Sequence, residues 1–499
     1  RLRTGRSLVH DVGMRRAAVL GLLACACAHR PSVRPASGWH ELVSEHFVLA
    51  TDAPESRSRE LLSELEDAHS ALRAVSWHAA HDTLARVKVI AFYRPSDAEE
   101  VLGSSREGIF YRDLFGSRGI VVQLGGGDSF HKTLNHEIAH QQLSEFVEHA
   151  PRWLDEGLAC YLETVRFVGG SEAVAGEPDR ERLRFADASS DWNAILETGE
   201  NALSMNEWDY ARFQSASWLL VHYLVDERRK EFGVYLLELA RGVEPRHAFT
   251  VAFGGLDGEK LRGELRGYLT VGRLKLIRVP ATPWQGTVDT RLLAASDVHG
   301  MRAMLLLVGA AALGSHSAAL DSDAEANASL ERDPGNADAA AVSLYWRYGA
   351  SAPALDRESA AREIIRAHPD DWRGWAMLAD ARQGTDEAGA ARARAAELAP
   401  ANPAALEALA RDQLARGQAH DAVIVARRAV TLAPTDPEVL ETYAAALAGS
   451  GDCAAATGLQ QRVVELMRER GAGRADSSER LLRAYEGGCS PTRGKKSSR

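Results

Sequence analysis

Two histidines four residues apart enclose a glutamate in His136-Glu137-Ile138-Ala139-His140. On an α-helix, positions i and i+4 lie one turn apart on the same face. Two imidazoles placed in this way can grip one metal ion, with Glu137 beside it. A Zn²⁺ held by three protein groups keeps a fourth position open for water. A second stretch follows, Trp153-Leu154-Asp155-Glu156-Gly157-Leu158-Ala159. Leu134, Ile138 and Leu143 give the first stretch an apolar side, and Asp128 or Ser129 can cap it, so both stretches read as helices.

Other reactive side chains carry plainer readings. His131 and His149 read as surface histidines flanking the motif. His78 and His81 are spaced i, i+3 without a third ligand nearby. Asp370-Asp371 and Asp179-Arg180-Glu181-Arg182 read as solvated turns and faces. Cys160, on the Glu156 helix, reads as a small buried residue. Cys453 and Cys489 flank the last helical segment and can pair in an oxidising compartment, two free thiols being the alternative.

These residues need elements to position them. A strand is expected within Glu41–Thr51, a helix over Ser56–Val75, a strand over Arg86–Phe92 and a short helix from Pro95 to Leu102. A third strand, Gly119–Leu124, is closed by Gly125-Gly126-Gly127. That triplet lacks the lysine and the spacing of a phosphate loop and reads as a chain break before the histidine helix. After it, a helix is expected over Arg152–Val168, a polar loop over Gly169–Asp191, and helices over Tyr210–Glu227, Glu231–Arg241 and the end of Ala248–Leu269. Val271–Pro283 reads as a strand-rich linker. The expected fold class is an α+β domain followed by an all-α solenoid.

At this point the chain resembles the gluzincin metallopeptidases, in which one helix carries H-E-x-x-H and a second carries a glutamate ligand. The resemblance is closest to the aminopeptidase-like branch, through His136-Glu137-Ile138-Ala139-His140-Gln141 and Trp153-Leu154-Asp155-Glu156-Gly157-Leu158-Ala159-Cys160-Tyr161-Leu162-Glu163. Residues 39–275 look like a peptidase MA-like, zincin-like domain of the kind found in bacterial exported proteins. The resemblance implies Zn²⁺ as cofactor, bound by His136, His140 and Glu156, with Glu137 as general base toward the metal-bound water. It implies that Glu163 orients a ligand imidazole from behind, and that the strand Gly119–Leu124 is the sheet edge on which an extended peptide adds. A further group is needed to stabilise the oxyanion. Tyr210 is the candidate and Tyr223 the second, against the reading of Tyr210 as a packing residue. The aminopeptidase signature G-x-M-E-N is absent, Gly125-Gly126-Gly127-Asp128-Ser129 standing in its place. Endopeptidase action is therefore favoured over aminopeptidase action.

The rest of the chain becomes rich in Ala, Leu and Arg. Ala399-Pro400-Ala401-Asn402-Pro403 returns as Ala433-Pro434-Thr435-Asp436-Pro437, and Pro334 and Pro369 continue the series upstream. This resembles tetratricopeptide repeats over residues 321–490, which implies a protein partner or substrate held there. Residues 276–320 read as linker and helical lead-in, and the apolar run Met304–Leu313 as a helix of the solenoid.

At the N-terminal end, Met14-Arg15-Arg16 precedes the apolar run Ala17–Ala24. Leu22-Leu23-Ala24-Cys25 resembles a bacterial lipobox, with Cys25 the lipidated residue and Cys27 the second candidate; an ordinary cleaved signal is the alternative. Residues 1–38 thus read as signal and spacer, which implies an exported lipoprotein of a bacterial cell envelope, tethered to a membrane surface by lipid. A net charge of −10 argues against a nucleic-acid partner, and residues 491–499 read as a frayed basic tail. Three functions follow from the sequence: an exported zinc metallopeptidase acting on peptides or proteins, a non-catalytic assembly protein built on the same scaffold, or, third in rank, metal-assisted hydrolysis of a non-peptide bond such as an ester.

Overall fold

The computed structural model describes residues 33–75, 86–102, 107–124, 128–147, 150–186, 190–197, 205–241, 243–271, 274–313, 316–434, 436–469 and 475–489. Cys25, Cys27, His78, His81, His149, Gly125–Gly127 and the tail from residue 491 lie outside the described residues. Among the described residues no helix is long and apolar enough to cross a membrane.

The chain is mostly helical, with a small mixed sheet and a helical C-terminal region. Its first part runs β1 (His40–Val43), β2 (Phe47–Thr51), α1 (Glu55–Val75), β3 (Val87–Phe92), α2 (Pro95–Leu102), β4 (Gly108–Arg112), β5 (Arg118–Gln123), α3 (Asp128–Phe146) and α4 (Arg152–Leu162). Then come β6 (Arg166–Val168), β7 (Glu172–Ala175), α5 (Arg180–Phe185), α6 (Trp192–Glu197), α7 (Glu207–Glu227), α8 (Arg229–Ala240), α9 (Pro245–Phe253), α10 (Gly258–Val271), β8 (Ile277–Pro280) and β9 (Asp289–Leu292). The remainder is helical: α11 (Ala295–Leu313), α12 (His316–Leu330), α13 (Ala337–Tyr348), α14 (Ala354–Ala367), α15 (Trp372–Ala381), α16 (Asp386–Leu398), α17 (Pro403–Ala415), α18 (Ala419–Leu432), α19 (Pro437–Ser450), α20 (Cys453–Glu469) and α21 (Ala475–Glu486).

Two compact units share these elements. Of the described residues, those within 33–62, 86–124 and 286–405 form the first, and those within 63–75, 128–285 and 406–489 the second.

The first unit holds a six-stranded sheet of order β4-β5-β3-β2-β1-β9. The apolar strands β2, β3 and β5 run parallel, and β1, β4 and β9 are antiparallel to their neighbours. The single strand expected within Glu41–Thr51 is a hairpin of two, turned where Ser44 N donates to Phe47 O at 3.0 Å. Contrary to expectation, the 119–124 strand is not the sheet edge. Gly108–Arg112 pairs along β5, and β4 takes the edge. Gly119 makes that pairing possible, since a Cβ there would stand 2.6 Å from the Tyr111 ring of its cross-strand neighbour.

One face of this sheet packs Ile90, Phe92 and Val121 with Val101 and Leu102 of α2 and Val298, Met301, Leu305 and Leu306 of α11. The other side of α11 offers Ala303, Met304 and Leu307 to Ala326 of α12 and to Ala339 and Val342 of α13. The stretch Met304–Val308 of the expected solenoid helix is therefore apolar on two sides, one meeting the sheet's core and the other the helices. It is a bridge within this unit and not simply a solenoid helix.

In the second unit α3 packs on α4, and α4 on α7. A three-stranded antiparallel sheet, β6-β7-β8, follows α4. The helix expected to reach Val168 ends at Leu162, because Arg166, Phe167 and Val168 enter that sheet. Gly169 and Gly170, at φ +63 and +70, turn the β6–β7 hairpin in backbone that other residues rarely adopt. The polar loop expected over Gly169–Asp191 accordingly contains β7 and α5. The C-terminal helices of this unit share small-residue cores, such as Ala410, Ala422, Ala426 and Ala446. Asp436 caps α19 by accepting from the N–H groups of Glu438 and Val439, the following Pro437 fitting the first turn. Cys453 and Cys489 are joined by a disulfide.

Candidate metal centre

The helix α3 presents His136, Glu137 and His140, and α4 presents Glu156. Trp153 is the anchor of α4: it is buried and stacked on Tyr235 of α8, with ring centroids 5.7 Å apart. Gly157 lets α4 approach α7 closely, since a Cβ there would lie 2.6 Å from the Ser217 carbonyl oxygen. Asn135 ties α3 to the end of α4, its Nδ2 donating to the carbonyls of Glu163 (3.1 Å) and Val165 (2.8 Å).

These contacts bring three donor groups together. His136 Nε2 and His140 Nε2 face each other at 3.1 Å. Glu156 Oε2 is 3.8 Å from His136 Nε2, and its Oε1 is 4.0 Å from His140 Nε2. Separations of this size suit atoms standing on the order of 2 Å from a single ion, and two imidazoles with one carboxylate form a zinc-type donor set. Glu137 is buried on the same helix as both histidines.

A polar shell surrounds the three groups. His140 Nδ1 lies 2.6 Å from Asp155 Oδ1. The carboxylate can only accept there, so Nδ1 carries the hydrogen and Nε2 is the nitrogen turned toward the centre. His136 Nδ1 stands 3.6 Å from Glu163 Oε2. Glu156, only 1% exposed, receives Tyr210 Oη at 2.8 Å, Gln214 Nε2 at 2.9 Å and Arg152 Nη2 at 2.8 Å.

Electrostatics follow from these contacts. Burial pushes the Glu156 carboxyl up, but Arg152, His140 and His136 outweigh it and hold the group well below the usual carboxylate range. Burial also opposes charge on His140, yet the Asp155 carboxylate and its hydrogen bond raise that imidazole to about 9. Burial, then the Glu156 charge, pushes the Tyr210 phenol far up, so it stays a donor.

An overlapping set, His136 with Cys160 and Glu163, is also close enough to hold an ion. Burial drives the Cys160 thiol well up, and Glu163 is engaged by both arms of Arg182, so this set offers no thiolate.

Of the residues named from sequence, His136, His140, Glu156, Glu163 and Tyr210 meet here, and Glu137 lies on the helix between the histidines. Tyr223 instead belongs to a separate cluster with Arg228 and Glu264. His131 is exposed, and Cys160 is buried with a free thiol. Arg182 and Asp179 are not a solvated face. Arg182 Nε and Nη2 donate to Glu163 at 2.8 and 2.7 Å, and Asp179 pairs with Lys132. Asp371 likewise caps α15 and pairs with Arg373, while Asp370 stays exposed.

Arg152, Asp155 and Gln214 were not singled out by the sequence reading. Arg152 is four residues before Glu156 and Gln214 four after Tyr210, so helical spacing alone could have placed both on the site's face. Arg182 had no such local signal. Compared with protein-family models and with curated proteins, the chain matches none.

Proposed function

We propose that the chain is a zinc-dependent metallopeptidase of gluzincin type, with endopeptidase action favoured. The observation that carries this reading is the convergence of His136 Nε2, His140 Nε2 and the Glu156 carboxylate, with Glu137 on the helix that bears both histidines. When bound by His136, His140 and Glu156, zinc would supply Lewis acidity toward a carbonyl and a water of pKa near 7. Glu137 accepts the proton of the attacking water and delivers it to the leaving amine. Asp155 and Glu163 keep the two imidazoles oriented. Tyr210 is the candidate donor to the oxyanion, a role in which its hydroxyl exchanges Glu156 Oε1 for the substrate oxygen.

The helical C-terminal region is proposed as a tetratricopeptide-like platform for a protein partner or substrate. Export as a lipoprotein anchored through Cys25 completes the proposal.

The test is direct. The purified full chain should hold one zinc and cleave an unstructured protein, with activity lost to a chelator. Glu137→Gln should keep the zinc and lower kcat by about 10²–10⁴-fold. A chain that holds zinc but leaves every substrate intact favours the second reading, a non-catalytic assembly protein, to which the paired C-terminal helices lend support. A chain without metal removes the zinc reading altogether.

A further inference from the structure

Behind each histidine stands a carboxylate, and behind each carboxylate stands an arginine. On one side the chain of contacts runs His140 Nδ1 to Asp155 at 2.6 Å, and Asp155 Oδ2 to Arg152 Nη1 at 3.4 Å. On the other it runs His136 Nδ1 to Glu163 at 3.6 Å, and Glu163 to Arg182 through two parallel N–H donors at 2.8 and 2.7 Å. Both arginines are largely covered, with side chains 25% and 18% exposed.

Neither arginine is an ordinary surface cation. A forked guanidinium–carboxylate pair fixes the carboxylate's plane as well as its position. Glu163 must keep one oxygen toward His136, and the Arg182 fork leaves it one orientation in which to do so. Arg152 does more than back Asp155. Its Nη2 also reaches Glu156 Oε1 at 2.8 Å and Tyr210 Oη at 3.3 Å, so one guanidinium holds a candidate ligand, the support of another ligand and the candidate oxyanion donor. Arg182 comes from α5, more than forty residues beyond His136 in sequence, and Asp179 beside it is tied back to Lys132 of α3. The segment after the β6–β7 hairpin is thereby built into the metal site.

We infer that Arg152 and Arg182 are the positioning residues of the metal-ligand set, each locking the carboxylate that orients one histidine. The inference rests on the zinc reading proposed above, and its test separates the two. Zinc affinity of the full chain is measured by competition with a chromophoric chelator, and the coordination shell by the visible absorption of the Co²⁺-loaded protein.

Arg152→Met and Arg182→Met should each weaken zinc binding by about 10–100-fold and alter the Co²⁺ spectrum, as loss of a ligand's support does. Arg182→Lys, which keeps the charge and loses the fork, should recover only part of the affinity. Arg166→Met, which removes an arginine of the same unit from an exposed pair with Glu177, should change neither readout. Arginine variants that remain folded and bind zinc as tightly as the unaltered chain overturn the inference while leaving the zinc reading intact. Full recovery in Arg182→Lys overturns the fork argument. Failure of the unaltered chain to take up Zn²⁺ or Co²⁺ refutes the zinc reading itself.

Discussion

Asp113 closes the turn between β4 and β5, where its Oδ1 accepts from Phe115 N–H at 2.9 Å and Ser117 N–H at 2.8 Å. Burial, then the charge of Asp338, raises its carboxyl from 3.8 to about 6, against the pull of those two N–H groups and of Arg373. The folded chain therefore holds this proton more tightly than the unfolded chain between about pH 4 and 6. Stability falls as pH rises through that window, and the cost is complete above it. Asp113→Asn keeps the acceptor and removes the charge. It should stabilise the protein by about 1–2 kcal/mol at pH 7.5, a gap that closes at pH 4; denaturant unfolding at both pH values measures it. A gap equal at both would place its origin elsewhere than in ionisation. At this scale, what could be read from sequence depended on distance along the chain. His136 and His140 were legible because helical period alone aligns them, and Glu156 because the stretch Trp153–Glu163 resembles the second helix of the gluzincins. The Arg182–Glu163 pair was not, since an intervening hairpin sets it and no local spacing announces a hairpin's closure.

Among the elements, the α4–α7 crossing matters most to the site, because it carries Glu156 to Tyr210 and Gln214. Its tolerance is small. A methyl group at Gly157 would meet the Ser217 carbonyl oxygen at 2.6 Å and Val221 Cγ2 at 2.7 Å. Gly157→Ala should cost about 1–3 kcal/mol as the helices are forced apart, read as a lowered thermal midpoint. It should weaken zinc binding in parallel; an unchanged midpoint would mean that α7 yields without strain. The helices themselves were well anticipated, α2 to its residue bounds and α1 to within one residue, since amphipathic period and proline starts mark them. Short strands were not. β4, β6 and β7 have three to five residues each, and their pairing is decided by neighbours far away in sequence.

For the molecule as a whole, the disulfide and the two-sided burial of α11 set the limits. Cys453 and Cys489 close a loop with a sequence separation of 36, so their bond restricts the unfolded chain by an amount worth about 3–4 kcal/mol. Cys489→Ser should therefore raise hydrogen exchange in α20 and α21 well before it does so in α3 and α4. Uniform loss of protection would make the whole chain one cooperative body. The sequence's composition shift suggested a clean succession of domains, but β9 pairs with β1 and α11 covers the sheet's apolar core, in contacts that composition does not encode. The consequence is one of timing. During synthesis the strands β1 to β5 leave the ribosome about 170 residues before α11, a delay of roughly 10–35 s. Throughout that interval Ile90, Phe92 and Val121 have no helix α11 to cover them. The nascent chain thus carries an unfinished sheet with an uncovered apolar face for much of its own translation.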